Sequence, residues 1–151
     1  MRIIRQALAF VVSAAVTFAL ATGFYTHLVL EKRAAIGLEF TPSQKFSNYL
    51  DNLVGFSIGT VPSFGMILVI ALLVGFSVAA VVKRILVPLA PIAYPIAGAA
   101  AIFVMLWAVE TFVAKGSGAF EGASGPLGIA LQCFAGFIGG VVFALTRGRA
   151  D

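Results

Sequence analysis

Four stretches of this sequence contain no Lys, Arg, Asp or Glu: Gln6 to Leu30 (25 residues), Asn52 to Val82 (31), Ile85 to Val109 (25) and Gly122 to Thr146 (25). Together they take up 106 of the 151 positions. A bilayer hydrocarbon core about 30 Å thick takes about 20 apolar residues per helix, so each stretch is long enough to cross one. Composition agrees: 61% of residues are hydrophobic and 11% charged, with mean hydropathy +1.07, whereas a soluble domain is about half apolar and about a quarter charged. An ordinary water-soluble domain is excluded. The expectation is an all-α, four-transmembrane-helix bundle, a single transmembrane domain over 1–151, with spans at 6–30, 58–82, 89–113 and 126–146.

The single cysteine, Cys133, and single histidine, His27, exclude an intrachain disulfide and any Cys/His cluster with metal-ligand spacing. No cofactor and no metal are expected. The formal charge of +4 would suggest nucleic acid in a soluble protein, but the basic residues stand at the ends of apolar runs and read as topology signals. With both termini on the cytoplasmic side, Arg2, Arg5, Lys83, Arg84, Arg147 and Arg149 fall inside, and Lys32, Arg33, Lys45 and Lys115 outside. That excess favours N-in/C-in. Ala19-Leu20-Ala21 resembles a signal-peptide cleavage site, but the apolar run continues to Leu30, so the first helix is expected to be retained.

Thr41-Pro42-Ser43-Gln44 has the form of a capping box with proline at the first helical position. Phe46, Tyr49, Leu50, Leu53 and Val54 then follow the spacing of one helical face, which predicts an outer amphipathic interfacial helix over 42–54, ending near Gly55. Its apolar face either rests on lipid or the bundle, or serves as a lid or docking element. Lys83 to Pro88 is short enough to make the second and third spans antiparallel neighbours, and Pro95 is expected to bend the third. Lys115 to Pro126 reads as an outer loop rich in small residues.

Helices in lipid pack closely where small side chains let backbones approach. Gly128, Gln132, Gly136, Gly140 and Ala144 recur every four residues in the fourth span. Ala71, Gly75 and Ala79 do so in the second, Ala93, Ala97 and Ala101 in the third, and Ser13, Thr17 and Ala21 in the first. These stripes serve either one four-helix bundle or contacts between subunits.

Polar side chains at membrane depth are the default functional candidates. His27, Glu110 and Gln132 all fall in the outer third of the expected bilayer, which makes a shared polar pocket possible, with Tyr25 and Trp107 as interface anchors. Each also has a structural reading: Glu110 reaching the headgroups or pairing with Lys115, His27 bonded to backbone or water, and Gln132 joining helices. Gly55-Phe56-Ser57-Ile58-Gly59 has the letters of GxSxG but follows an expected amphipathic helix rather than a strand, so no nucleophile elbow is present, and no HExxH, P-loop or GxGxxG pattern occurs. A non-enzymatic role is expected.

From Tyr49-Leu50-Asp51-Asn52-Leu53-Val54-Gly55-Phe56 through Gly75-Phe76-Ser77-Val78-Ala79 to Lys83-Arg84, and again at Tyr94-Pro95-Ile96-Ala97-Gly98-Ala99 and Gly136-Phe137-Ile138-Gly139-Gly140, the order of features resembles a group of small bacterial membrane proteins with four predicted spans and no assigned activity. The resemblance implies a bacterial inner-membrane location and a shared architecture, and carries over no functional residue. Three functional expectations follow. The first is an oligomeric, channel- or transporter-like protein whose outward pocket binds or admits a small solute or ion. The second is an accessory subunit packed onto a larger membrane complex, and the third a small membrane enzyme using His27 and Glu110. The bilayer is the one partner common to all three.

Overall fold

A computed structural model describes residues 2–59, 63–113, 123 and 125–148. Among these, the chain forms α1 (Arg2–Ala35), α2 (Pro42–Ile58), α3 (Phe64–Ile85), a 3₁₀ turn (Val87–Leu89), α4 (Ala93–Ala108) continuing into a π-helical turn (Val109–Val113), and α5 (Gly125–Thr146). Four helices are long and apolar enough to cross a membrane, with mean hydropathy of 2.0 to 2.8, yet only 22–39% of each apolar window is buried within the chain. The remaining apolar surface suits lipid as its solvent. This is a multi-pass membrane protein of all-α architecture.

The four long helices adjoin in the order α1, α5, α4, α3, and α2 lies against α1 and α3. Each seam is made where side chains are small. Gly98 of α4 and Gly136 of α5 meet backbone to backbone, and a Cβ on Gly140 would strike the Tyr94 carbonyl and lie 2.6 Å from Pro95 Cα. On the other side of α5, Gly139 faces Thr17 and Ser13 of α1. Gly75 of α3 lies under Ala97 and Ala101 of α4, where a Cβ would come within 2.8 Å of Ala101 Cβ. The bundle's centre is filled by Leu68, Leu72 and Ile102, all fully buried. The small-residue stripes of all four spans are therefore consumed within one chain, and Ala71 and Ala79 join the same core. Gly128 is the exception on its stripe, since it packs on the backbone of Ala123 in the preceding turn.

Several elements depart from the sequence expectation. The second span begins at Phe64, because buried Ser63 accepts the Met66 N–H as N-cap, and Ile58 belongs to α2. The third span begins at Ala93, which makes Pro95 its third residue. A proline in the first turn removes no intrahelical bond, so it gives no reason for the expected bend. α4 instead changes character at its other end, where Val109–Val113 are π-helical. The expected outer loop, with Lys115 and Glu121, lies almost wholly outside the described residues.

α1 is 34 residues long, about 50 Å at 1.5 Å per residue, and so exceeds the hydrocarbon thickness by several turns. Gly37, with φ +91°, closes it. The Gly37 N–H donates to Ala34 O and the Leu38 N–H to Arg33 O, a Schellman arrangement that only a residue tolerating positive φ supports cheaply. α2 has the expected capping box at Thr41 and Gln44 but continues through Gly55 to Ile58. Its face also differs from the expected one. Tyr49, Asn52 and Phe56 bear on α1 and α3, while Phe46, Leu50 and Val54 remain exposed. The rotation has a physical reason: a phenol and an amide find partners on α1, and apolar side chains lose nothing by facing lipid.

The described charges divide by end. Arg5, Lys83, Arg84 and Arg147 gather at one, while every described Asp and Glu, namely Glu31, Glu39, Asp51 and Glu110, belongs to the other, together with Lys32, Arg33 and Lys45. They are called below the basic end and the mixed end.

Candidate functional site

Along α1, Gly23, Thr26, His27, Leu30, Glu31 and Ala34 recur at i, i+3, i+4, i+7, i+8 and i+11, which sets them on one helical face. That face forms one wall of a cleft of about 450 Å³ at the mixed end. Glu39 and Phe40 of the link, with Lys45 and Tyr49 of α2 one turn apart, form the other. Because α2 starts with a strong cap only a few residues after α1 closes, the chain folds back on itself and the cleft is the space left in the bend.

Two hydrogen bonds hold α2 in place beside the cleft floor. Tyr49 donates its hydroxyl to Ala19 O (3.2 Å), and Asn52 Nδ2 donates to Thr26 Oγ1 (2.9 Å). Thr26 Oγ1 donates in turn to Thr22 O (2.8 Å), so the buried hydroxyl is satisfied in both roles. Edge-on ring contacts of Tyr25 with Phe56 (5.0 Å) and a tilted one of Phe56 with Phe64 (5.3 Å) anchor the far half of α2 and the start of α3. Higher in the cleft, His27 Nε2 lies 3.3 Å from Glu31 Oε1, with both side chains well exposed at 65% and 62%. An exposed pair of this kind contributes little to stability, which leaves its groups able to exchange water for a ligand.

The three residues expected to share a pocket are not brought together. His27 lines the cleft; Gln132 and Glu110 do not. Gln132 is fully buried on α5, where Nε2 donates to Ala21 O of α1 at 2.9 Å. It joins two helices, the structural reading given to it above. Its Oε1 and the equally buried Thr22 Oγ1 have no hydrogen-bond partner among the described atoms. Glu110 sits half-buried in the π-helical turn after α4. The reason for the separation is angular: equal depth does not give equal facing, and Ala21 and His27 look out from different sides of α1. The expected alliance of His27 with Glu110 is thus replaced by His27 with Glu31.

Glu31, Glu39, Lys45 and Tyr49 escaped the sequence reading of the site. The signal for the α1 wall was present in the i, i+3, i+4 recurrence from Gly23 onward, polar at Thr26, His27 and Glu31. The α2 wall was not readable, because it depends on which way α2 rolls. Comparison with protein-family models, curated proteins and solved structures finds no match to this chain. Among the described residues, no three His, Cys, Asp or Glu side chains converge as a metal site. What the arrangement offers is an imidazole, two carboxylates, an ammonium and a phenol around an apolar floor of Gly23, Leu30 and Ala34.

Proposed function

We propose that the protein is a non-enzymatic membrane protein of the bacterial inner membrane, N-in/C-in, whose outward cleft between α1 and α2 binds a small polar solute or ion. The observation that carries this reading is the 450 Å³ cleft with groups of both charge signs at its walls. Lys45 on α2, Glu39 on the link beside it and Glu31 on the facing wall of α1 provide counter-charges for a zwitterion or for either kind of ion. The filled bundle centre, with Leu68, Leu72 and Ile102 fully buried, favours binding at the rim over passage through a single chain; a pathway would need several chains.

The accessory-subunit reading rests on a different surface from the one the sequence suggested. Its glycine and alanine stripes are used inside the chain, but α2 exposes Phe46, Leu50 and Val54 in one i, i+4 row, a surface on which a larger complex could sit. The enzymatic reading has no observation of its own in its favour, since His27 lines the cleft beside Glu31 and Glu110 is not among the cleft's lining residues.

Thermal-shift screening of the purified protein in lipid nanodiscs against small amines, carboxylates and zwitterions tests the binding proposal. A ligand at 100 times its Kd contributes about 2.7 kcal/mol. The expected result is at least one stabilising solute whose effect is lost in Glu31→Gln or Lys45→Gln and kept in Glu110→Gln. No stabilising solute, or equal loss in Glu110→Gln, would overturn it. Recovery of a larger complex from gently solubilised membranes, dissociated by Leu50→Glu, would favour the subunit reading.

A further inference from the structure

The basic end presents a second arrangement, independent of the cleft. Arg147 donates to the Tyr94 hydroxyl and its Cζ lies 5.0 Å from the centre of that ring, while Lys83 Nζ lies 5.4 Å from the same centre. Arg5 of α1 reaches across to the segment just past α5, where its guanidinium lies directly over Gly148, the residue next to Arg147. Three cations from α1, α3 and the end of α5 are thus drawn to one place, and each described carboxylate belongs to the opposite end. Cation–π contacts with Tyr94 account for part of the attraction. Mutual repulsion of three charges at a low-dielectric boundary opposes it.

Beside Arg5, a groove of about 440 Å³ runs between α1 and α5, walled by Ile4, Leu8, Ala9 and Val12, with Arg5 and Thr146 at its polar end. An apolar slot that begins at a guanidinium and continues along Leu8, Ala9 and Val12 is complementary to an occupant with an anionic head and a hydrocarbon tail. Thr146 already donates its hydroxyl to Val142 O (2.6 Å), so donors at the mouth come from arginine.

We propose that this groove is a binding site for one anionic glycerophospholipid of the adjoining leaflet, its phosphate held by Arg5 and Arg147 and one acyl chain lying along Leu8, Ala9 and Val12. The site combines what such a lipid needs: cations at headgroup level and an apolar slot continuing from them into the hydrocarbon. Guanidinium forks match phosphate oxygens in pairs. The bound phosphate places negative charge among three positive side chains and ties the end of α5 to the start of α1.

Native mass spectrometry of the protein released from nanodiscs of zwitterionic phospholipid alone, or with anionic phospholipid added, tests this. The expected result is one retained anionic lipid per chain, lowered about fivefold in Arg5→Gln, the effect of removing one basic group near an anionic surface. Arg5→Lys should retain most of it. Arg33→Gln, which removes the same charge at the opposite end, should leave retention unchanged. Val12→Phe keeps every charge but narrows the slot, and should also reduce retention while inorganic phosphate binding, read by calorimetry, stays as in the parent. Equal retention of zwitterionic lipid, an equal loss in Arg33→Gln, or release of the lipid by inorganic phosphate alone would overturn the proposal. Should Arg5→Gln fail to fold, the Val12→Phe result decides.

Discussion

α5 and α2 both pack on α1, and they do so by opposite means. Against α5, α1 presents Ser13, Thr17 and Ala21, each fully buried; Ser13 Oγ donates to Gly139 O at 2.7 Å and Gln132 crosses back to Ala21 O. On its far side α5 meets α4 through Gly98, Gly136 and Gly140 with nothing between the backbones. Against α2, α1 presents a half-open face, held by one phenol and one amide, and no residue of α2 is buried. Close contact of small residues over many turns makes α1, α5 and α4 one body, whereas two hydrogen bonds and a pair of rings make α2 an attachment. The proposed solute cleft lies on the attached side, where adjustment is cheap.

The sharpest way to break this contrast is to add bulk to the glycine seam. A Cβ at Gly136 would strike Gly98 O and come within 2.6 Å of Ile102 Cγ1, so Gly136→Leu forces α4 and α5 apart. A loss of about 3 kcal/mol or failure to fold is expected, read as melting temperature in detergent. Gly140→Leu should behave alike, and Gly128→Leu, where the nearest described atoms belong to the Ala123 backbone and not to another long helix, less severely. If all three melt as the parent does, the seam is not what holds the bundle.

Gln132→Ala is the next largest effect. It removes the bond to Ala21 O and leaves a cavity, at a cost of about 2 kcal/mol. Gln132→Leu is the sharper variant. An interhelical hydrogen bond in a membrane contributes on average about 0.6 kcal/mol, and removing an unpartnered buried acceptor is favourable, so stability should fall by less than about 1 kcal/mol. A large loss in Gln132→Leu would mean that Oε1 has a partner such as water.

For α2 the expected response is local. Tyr49→Phe and Asn52→Leu should together leave the melting of the bundle within about 1 kcal/mol of the parent, yet raise hydrogen exchange in α2 about tenfold, equivalent to about 1.4 kcal/mol of local opening. A matching drop in global melting would show that α2 belongs to the bundle after all. The smallest effect is expected at Gly23→Ala, where the new Cβ would lie 3.5 Å from Tyr49 Cε2, an ordinary contact. Stability should change by no more than about 0.5 kcal/mol, the higher helix propensity of alanine offsetting any crowding.

Much of the scaffold was legible in the sequence because its determinants are local or periodic. Uncharged length gives the spans, Thr41-Pro42-Ser43-Gln44 gives the start of α2, and the fourfold spacing of Gly128, Gln132, Gly136 and Gly140 gives a packing face. The use of Gln132 as a link between helices follows from its place on that stripe. The site was less legible. Depth along a helix can be counted from the sequence, but the direction a side chain faces depends on rotation about each helix axis, fixed only by packing. His27, Glu110 and Gln132 share a depth and diverge in direction. Pro95 was misread for a related reason: its effect depends on whether the helix begins two residues before it or six, and helix boundaries are the least local of these features.

One labelling experiment bears on the whole account. In a Cys133→Ala background, a membrane-impermeant maleimide is applied to cells with separate single replacements His27→Cys, in the cleft wall, and Val74→Cys, an exposed position midway along α3. Rapid labelling of the first is expected from one side of the membrane only, and none of the second until the bilayer is dissolved. Labelling of Val74→Cys in intact membranes, or a His27→Cys that stays silent from both sides, would contradict that expectation.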